Sequence, residues 1–170
     1  MSVTNKSSVI PIIVRAEGTG VAQRLVTGGS RAHVFEADAY TAFGGREAAP
    51  SPLSYALGAL SSCNQITATL VAKSLGINLG KWTFELQGDL DTGVLVAGAE
   101  GNANFHRVAM RVTVETDATE EQFATLVSET ERRCPATQLF KRSGLEFVNE
   151  WTRLALRSAS AGAAVHSASN

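Results

Sequence analysis

Two cysteines, Cys63 and Cys134, are the residues of this 170-residue chain best suited to redox or nucleophilic chemistry. A cysteine thiolate is a nucleophile and a metal ligand, and two thiols that meet can form a disulfide. Two cysteines are too few for a disulfide scaffold. The three histidines, His33, His106 and His166, show no ligand spacing relative to the cysteines, so we expect no bound metal.

The overall composition argues against several classes of function. The net charge is −1 and the basic residues are scattered, which gives no reason to expect binding to nucleic acid or to an anionic membrane. The first residues lack the features of a secretory signal, and the uncharged stretch at residues 48–72 is too polar to span a bilayer. We therefore expect a soluble, cytoplasmic protein, in which a disulfide is transient rather than structural.

Cys63 lies inside a predicted helix at residues 52–74. Ser51 and Pro52 fit an N-cap and a first helical position, leucines recur at helical spacing, and Gly76 fits the helix end. The near absence of charge predicts that the helix is buried over most of its circumference. The cysteine is then either a small hydrophobic residue without chemistry or a reactive thiol, and a reactive thiol in mid-helix requires a nearby cation.

Cys134 precedes Pro135 and is predicted to be the N-cap of a short helix that Lys141, Arg142 and Gly144 close. At such a position the backbone N–H groups and the helix dipole favour a thiolate. The alternative is an ordinary N-cap residue without chemistry.

The remaining elements predict the fold class. Thr119 and Gln122 form a capping-box pattern that opens a further helix. Alternating apolar residues and glycine-containing turns predict strands at residues 10–16, 21–27, 31–38, 82–87, 108–115 and 146–156. Runs of strands separated by single helices indicate an α+β fold with antiparallel sheets. We predict one domain at residues 1–157 and a solvated, Ala/Ser-rich tail at residues 158–170.

Two stretches around the cysteines resemble a known family. The sequence GGREAAPSPL at residues 44–53, followed by ALGALSSC at residues 56–63, is similar to the signature of the OsmC/Ohr family, the osmotically inducible and organic hydroperoxide resistance proteins. Arg-Cys-Pro at residues 133–135 is similar to the second signature of that family. Together with the order of elements, the resemblance extends over nearly all of residues 9–156.

The resemblance implies a fold and an activity. The fold is OsmC-like, with two small antiparallel sheets around central helices, in an intertwined homodimer whose active sites lie at the subunit interface. The activity is a thiol peroxidase of the oxidative stress response that uses no cofactor. Cys63 attacks an organic hydroperoxide and becomes a sulfenic acid, Cys134 resolves it as a disulfide, and a dithiol reductant, lipoyl groups in several members, reduces that disulfide.

The sequence departs from the family pattern at the start of the Cys63 helix. Typical members carry a glutamate just after the proline, where this chain has Leu53 and Ser54. Glu47 is a candidate to replace it. The missing glutamate favours an alternative function, a non-catalytic protein that binds a small apolar ligand or senses oxidants. A third interpretation treats both cysteines as core residues.

The activating arginine of the family has three candidates in this sequence. Arg46, in the loop before the helix, is our first choice, and Arg24 and Arg31 on early strands are the others. Each is equally compatible with a solvated surface arginine.

Overall fold

The computed structural model of the chain describes residues 8–157. Its strands and helices follow the order β1 (Val14–Thr19), β2 (Ala22–Thr27), β3 (Val34–Ala37), α1 (Pro52–Leu75), β4 (Leu79–Leu90), α2 (Thr92–Ala97), β5 (Phe105–Thr116), α3 (Glu120–Arg133), α4 (Pro135–Arg142) and β6 (Glu146–Ala155). The chain divides into two compact units, an N-terminal unit that ends at Ala56 and a C-terminal unit that begins at Leu57. Each unit is described below by itself.

The N-terminal unit contains a three-stranded sheet in the order β1-β2-β3, with antiparallel pairing throughout. The predicted antiparallel meander is confirmed, although β1 spans Val14–Thr19 rather than residues 10–16 and β3 is confined to Val34–Ala37. Arg31 therefore precedes β3 and does not lie on a strand, in contrast to the sequence prediction. Gly20 adopts a φ of 64° in the tight turn between β1 and β2, a conformation that glycine adopts at little cost. Tyr55, at the start of α1, donates a hydrogen bond from its hydroxyl to the carbonyl of Glu36 at 2.6 Å.

The long helix α1 begins and ends where the sequence predicts. The Ser51 hydroxyl accepts the N–H of Ser54 at 3.1 Å, Pro52 is the first helical residue, and Gly76 follows the helix with a φ of 68°. The predicted burial over most of the circumference is wrong for the single chain, because Ile66 and Leu70 are 64% and 56% exposed. Only one face is buried, formed by Leu60, Asn64, Thr67, Ala68, Val71 and Ala72.

The second sheet, in the C-terminal unit, has the order β4-β5-β6. β4 and β5 pair antiparallel, as predicted, whereas β5 and β6 pair parallel, so the expectation of a purely antiparallel sheet is wrong for β6. The reason is the connection, because α3 and α4 together carry the chain back to the end of the sheet at which β5 starts. The α+β fold class is confirmed.

Two apolar clusters hold α1 in the C-terminal unit. The first joins the end of α1 to β5 and α3, and its buried members include Val71, Val114 and Leu126. The second surrounds Leu60, which has no exposed surface and packs with the buried residues Val108, Met110 and Val112 of β5. Full burial of one such leucine side chain contributes about 1.5–3 kcal/mol. These contacts fix the segment of α1 that carries Cys63.

Two local features complete the fold. The capping box at the start of α3 is confirmed, with the Thr119 hydroxyl accepting the N–H of Gln122 at 3.2 Å and the Gln122 side chain accepting the N–H of Thr119 at 2.9 Å. The short helix α2 is missed by the sequence prediction, because six residues are too few to show a helical period.

Among residues 8–157, no helix combines the length and the apolar character needed to cross a bilayer. The predicted tail at residues 158–170 lies outside the described residues.

Candidate functional site

Cys63 lies about three turns after the start of α1, and its side chain is partly buried. Its position follows from Leu60, one turn earlier, which is anchored in the apolar cluster with β5. The Thr67 hydroxyl, one turn later, forms a hydrogen bond to the Cys63 sulfur. Local helix geometry therefore places a hydrogen-bond donor beside this thiol.

Cys134 joins two helices. Its N–H donates to the carbonyl of Thr130 at 2.9 Å, which ends α3, and its sulfur accepts the N–H of Thr137 at 3.5 Å, which begins α4. Pro135 follows as the first residue of α4, so the N-cap predicted from Cys-Pro is confirmed. The side chain is completely buried. The burial and the single weak N–H contact describe a thiol held in one orientation.

The two thiols, far apart in sequence, meet in the C-terminal unit. The Cys63 thiol forms hydrogen bonds with the Cys134 thiol and with the backbone N–H of Ala136 in the first turn of α4. Burial raises the pKa of Cys63 above its usual value of 9.0, the Ala136 N–H opposes that rise, and the Cys134 thiol adds to it. The net effect keeps Cys63 protonated at neutral pH, and both cysteines are free thiols.

A buried polar pair lies directly behind the thiols. The Asn64 side-chain amide donates to the Leu60 carbonyl at 2.8 Å and to the Thr137 hydroxyl at 2.9 Å. The same hydroxyl lies 3.3 Å from the Asn64 carbonyl oxygen. Neither Asn64 nor Thr137 has any exposed surface. Sequence reasoning did not identify this pair, because Asn64 is one of several uncharged polar residues of α1 and Thr137 gave no signal.

The environment of the thiols is otherwise apolar. Leu57 and Leu60 of α1 belong to the same cluster as Ala136 and Phe140 of α4. The groups that set the pKa of Cys63 are thus a buried apolar surface, a backbone amide, a hydroxyl and a second thiol. All of them are uncharged.

Arg46, the predicted activating arginine, belongs to the N-terminal unit and is exposed there. Its backbone N–H donates to the Asp38 carboxylate at 3.1 Å, as do those of Ala48 at 3.1 Å and Ala39 at 2.8 Å. The hydrogen bonds from Ala48 and Ala39, followed by the bond and the charge of Arg46, lower the pKa of Asp38. An ionised carboxylate therefore organises the loop that leads to α1.

The other candidates also lie in the N-terminal unit. Arg24 is exposed and pairs with Glu17 at 3.4 Å, and Arg31 is exposed. Glu47, considered as a replacement for the family glutamate, adopts a φ of 54° and accepts the N–H and the hydroxyl of Thr41, both at 2.9 Å. The hydrogen bonds to Glu47 shape the loop at residues 41–47 and lower the pKa of its carboxyl group.

Comparisons with known proteins identify the family and the fold of the chain. The family model described as OsmC-like protein matches residues 44–147, which include both cysteines. An OsmC-like protein from Mycoplasma pneumoniae is similar in structure, with a TM-score of 0.69 and 17% identity over 85% of this chain and 98% of that chain. An organic hydroperoxide resistance protein from Elizabethkingia anophelis has a TM-score of 0.66 and 19% identity, covering 86% of this chain and 99% of that chain.

A third structure, an organic hydroperoxide resistance protein OsmC from Legionella pneumophila, has a TM-score of 0.65 and 17% identity over 86% of this chain and 99% of that chain. At these identities the structural likeness establishes the fold alone. No curated protein sequence matches the chain. The family model, however, covers more than half of the sequence and confirms the resemblance found there. The chain belongs to the OsmC-like protein family.

Proposed function

We propose that this protein is a thiol peroxidase that reduces organic hydroperoxides in the response to oxidative stress. The observation that carries the proposal is the hydrogen-bonded contact between the Cys63 and Cys134 thiols in an apolar environment. A sulfenic acid formed on one thiol then has the second within reach, which is what reversible peroxide reduction requires.

The proposed reaction has two steps on the protein. The Cys63 thiolate attacks the terminal peroxide oxygen, the O–O bond breaks, and the alkoxide leaves as an alcohol after it takes up a proton; Cys63 becomes a sulfenic acid. The Cys134 sulfur then attacks the Cys63 sulfur and displaces hydroxide, which leaves as water with the proton of Cys134. A dithiol reductant, of the lipoyl type in our proposal, reduces the resulting disulfide and is itself oxidised to a disulfide.

An organic substrate fits the surroundings of Cys63 better than hydrogen peroxide does. Leu57 precedes the cysteine on α1, Phe140 lies in the same apolar cluster, and both side chains are partly exposed. An alkyl chain that leaves water for such a surface gains about 0.8 kcal/mol for each buried CH₂ group. Hydrogen peroxide has no apolar group and gains nothing in this way.

Assembly as a homodimer is part of the proposal. Ile66 and Leu70 form an exposed apolar strip on α1, on a helix whose exposed side carries no charge before Lys73. Contiguous apolar surface of this kind marks interaction sites in soluble proteins. A second copy of the chain offers the same uncharged strip in self-complementary form. Light scattering on the purified protein and on Ile66→Lys should distinguish a dimer from a monomer, and a wild-type monomer at micromolar concentration would reject the dimer.

Redox sensing is the second candidate, and one observation favours it. The raised pKa of Cys63 leaves a small thiolate fraction at neutral pH, which lowers the rate of attack on peroxide. A sensor needs the same cysteine pair and the same disulfide but tolerates slow oxidation. The two candidates therefore differ in turnover rather than in chemistry.

The deciding experiment is peroxide consumption by the purified protein with dihydrolipoamide as reductant. A peroxidase should consume tert-butyl hydroperoxide over many turnovers and prefer it to hydrogen peroxide, whereas Cys63→Ser should consume neither. A single equivalent consumed by the wild type, with disulfide formation but no turnover, would favour the sensor. Failure to form any Cys63–Cys134 disulfide would reject both candidates.

A further inference from the structure

We propose that the buried pair of Asn64 and Thr137 holds the resolving thiol of Cys134 in position to react with Cys63, the residue that attacks the peroxide. The inference rests on the proposed function and adds two residues that act through the cysteines rather than on the substrate. Asn64 follows Cys63 directly on α1, and Thr137 lies one turn after Cys134 at the start of α4. Each sulfur thus has one member of the pair on its own helix.

The pair is a completely buried, directional link between the two helices. The Asn64 amide reaches the Thr137 hydroxyl at 2.9 Å while it remains bonded to its own helix through the Leu60 carbonyl at 2.8 Å. The apolar contacts between α1 and α4, such as those in the cluster of Leu60 and Phe140, impose no direction. A completely buried hydrogen bond does, because sliding one helix along the other would leave the Thr137 hydroxyl without a partner and the Asn64 amide with one partner fewer.

This link sets the position of the two backbone N–H groups that contact the sulfurs. The Thr137 N–H contacts the Cys134 sulfur at 3.5 Å, and the neighbouring Ala136 N–H contacts the Cys63 sulfur. Both amides belong to the first turn of α4 and move with it. The hydrogen bond between Thr137 and Asn64 therefore fixes the first turn of α4 relative to Cys63. The Cys134 sulfur, at the start of α4, is thereby held beside the Cys63 sulfur.

The resolution step is the one that depends on this register. In that step the Cys134 sulfur forms a bond to the Cys63 sulfur while the S–O bond breaks, so two protein atoms must align. The first oxidation needs only Cys63 and a mobile peroxide. A misplacement of about 1 Å between two reacting groups reduces a rate by about a hundredfold. Loss of the pair should therefore slow disulfide formation far more than sulfenic acid formation.

The test is a single-turnover reaction of the reduced protein with one equivalent of tert-butyl hydroperoxide, quenched and analysed by mass spectrometry. Thr137→Val and Asn64→Leu should each slow disulfide formation by about tenfold or more, with sulfenic acid formation changed by less than about threefold. With excess peroxide these variants should accumulate Cys63 sulfinic acid. Thr137→Ser, which restores the hydroxyl, should restore the wild-type rate.

The matched control is Thr116→Val. Thr116 lies in β5 and is also buried, and its hydroxyl donates to the Asn78 carbonyl at 2.8 Å. It should lose stability without a change in disulfide formation. If Thr137→Val fails to fold, the double variant Asn64→Leu/Thr137→Val replaces both polar groups together, leaves neither unpaired, and should still resolve slowly.

Two outcomes separate the failure of this inference from the failure of the proposed function. If the wild type forms the disulfide and Thr137→Val or the folded double variant forms it equally fast, the pair has only a structural role and the inference is overturned. If the wild type does not react with peroxide, the two thiols are oxidised with diamide instead. The rates of disulfide formation in the wild type and the variants are then compared in the same way, and this comparison tests the inference without peroxidase activity.

Discussion

The thiol cluster and the loop before α1 both use side-chain hydrogen bonds to hold the backbone in place, but the first uses uncharged groups and the second uses a charged one. The thiol cluster of the C-terminal unit is buried, and its hydrogen bonds, such as that between Asn64 and Thr137, join uncharged groups. The loop before α1 in the N-terminal unit is built on charge, with three N–H groups donating to the Asp38 carboxylate. The first region keeps the Cys63 thiol neutral, and the second keeps a carboxylate ionised.

The difference shows what the thiol cluster provides and what it lacks. Buried, uncharged hydrogen bonds such as that between Asn64 and Thr137 set the relative position of two sulfurs through groups that do not titrate and carry no charge for salt to screen. The same burial disfavours the thiolate, which is the nucleophile. A positive charge that activates Cys63 must therefore come from outside this cluster. Arg46, in the charged loop, remains our first candidate.

The largest expected effect separates the two cysteines of the cluster. Cys63→Ser should abolish peroxide reduction, because a hydroxyl is far less acidic and less nucleophilic than a thiol. Cys134→Ser should consume about one equivalent of peroxide and then stop or become over-oxidised, because no thiol resolves the sulfenic acid. Peroxide consumption and intact-mass analysis measure both results. Equal and undiminished turnover in the two variants would contradict a two-cysteine mechanism.

The next effect concerns the stability that the buried pair contributes. Thr137→Val leaves the Asn64 amide short of a partner, and Asn64→Leu does the same to Thr137, so each should lower the free energy of unfolding by about 1–3 kcal/mol. The double variant should lose less than the sum of the two. Urea denaturation of the four proteins gives the coupling. Simple additivity would show that the hydrogen bond contributes nothing.

Arg46→Ala tests whether the charged loop supplies the activating cation. If it does, the variant should raise the pKa of the Cys63 thiol and slow its alkylation near neutral pH, by about tenfold for each pKa unit. The backbone N–H that binds Asp38 is retained, so the loop should keep its shape. Iodoacetamide alkylation over a range of pH measures the shift.

Arg24→Ala and Arg31→Ala are the matched controls for that measurement, because both arginines are exposed in the same unit. A slower reaction in either control, with no change in Arg46→Ala, would transfer the role to the other arginine. If none of the three variants changes the reaction, the sensor becomes the better of the two proposed functions.

The smallest expected effect is the pH dependence of the charged loop. The pKa of Asp38 in the folded protein is lowered from its usual 3.8, so its contribution to stability is complete above that value and is lost as the pH falls through the lower, folded pKa. Asp38→Asn should therefore be less stable than the wild type at neutral pH, and the difference should shrink in acid. Glu47→Gln should behave alike from a higher pH, because the usual pKa of a glutamate is 4.5.

Urea denaturation between neutral pH and about pH 2 measures both dependences, because the contribution of each carboxylate disappears within that range. Parallel stability curves for the wild type and Asp38→Asn would contradict the role of the carboxylate. The matched variants of the buried pair, Thr137→Val and Asn64→Leu, should show no such convergence, since neither side chain titrates. This contrast in pH dependence distinguishes the charged loop from the uncharged thiol cluster.

Local features of the fold were predictable from the sequence because they depend on neighbouring residues. Ser51 and Pro52 fix the start of α1, Thr119 and Gln122 form the capping box of α3, and Cys134 caps α4 through an N–H three residues away. Each of these is a contact across one helical turn, so residue types at fixed spacing determine it. The family resemblance of the two cysteine segments is also a property of short stretches of sequence.

The sequence by itself therefore determined the helices α1, α3 and α4, the α+β class, the family, and which two cysteines are the candidates for redox chemistry. Only the tertiary structure decided that β6 pairs parallel with β5, that Ile66 and Leu70 are left exposed, and that Asn64 meets Thr137. These features join segments that are distant along the chain, and no local pattern specifies which distant residue will be opposite. Burial and hydrogen-bond satisfaction select those partners only when the whole unit packs.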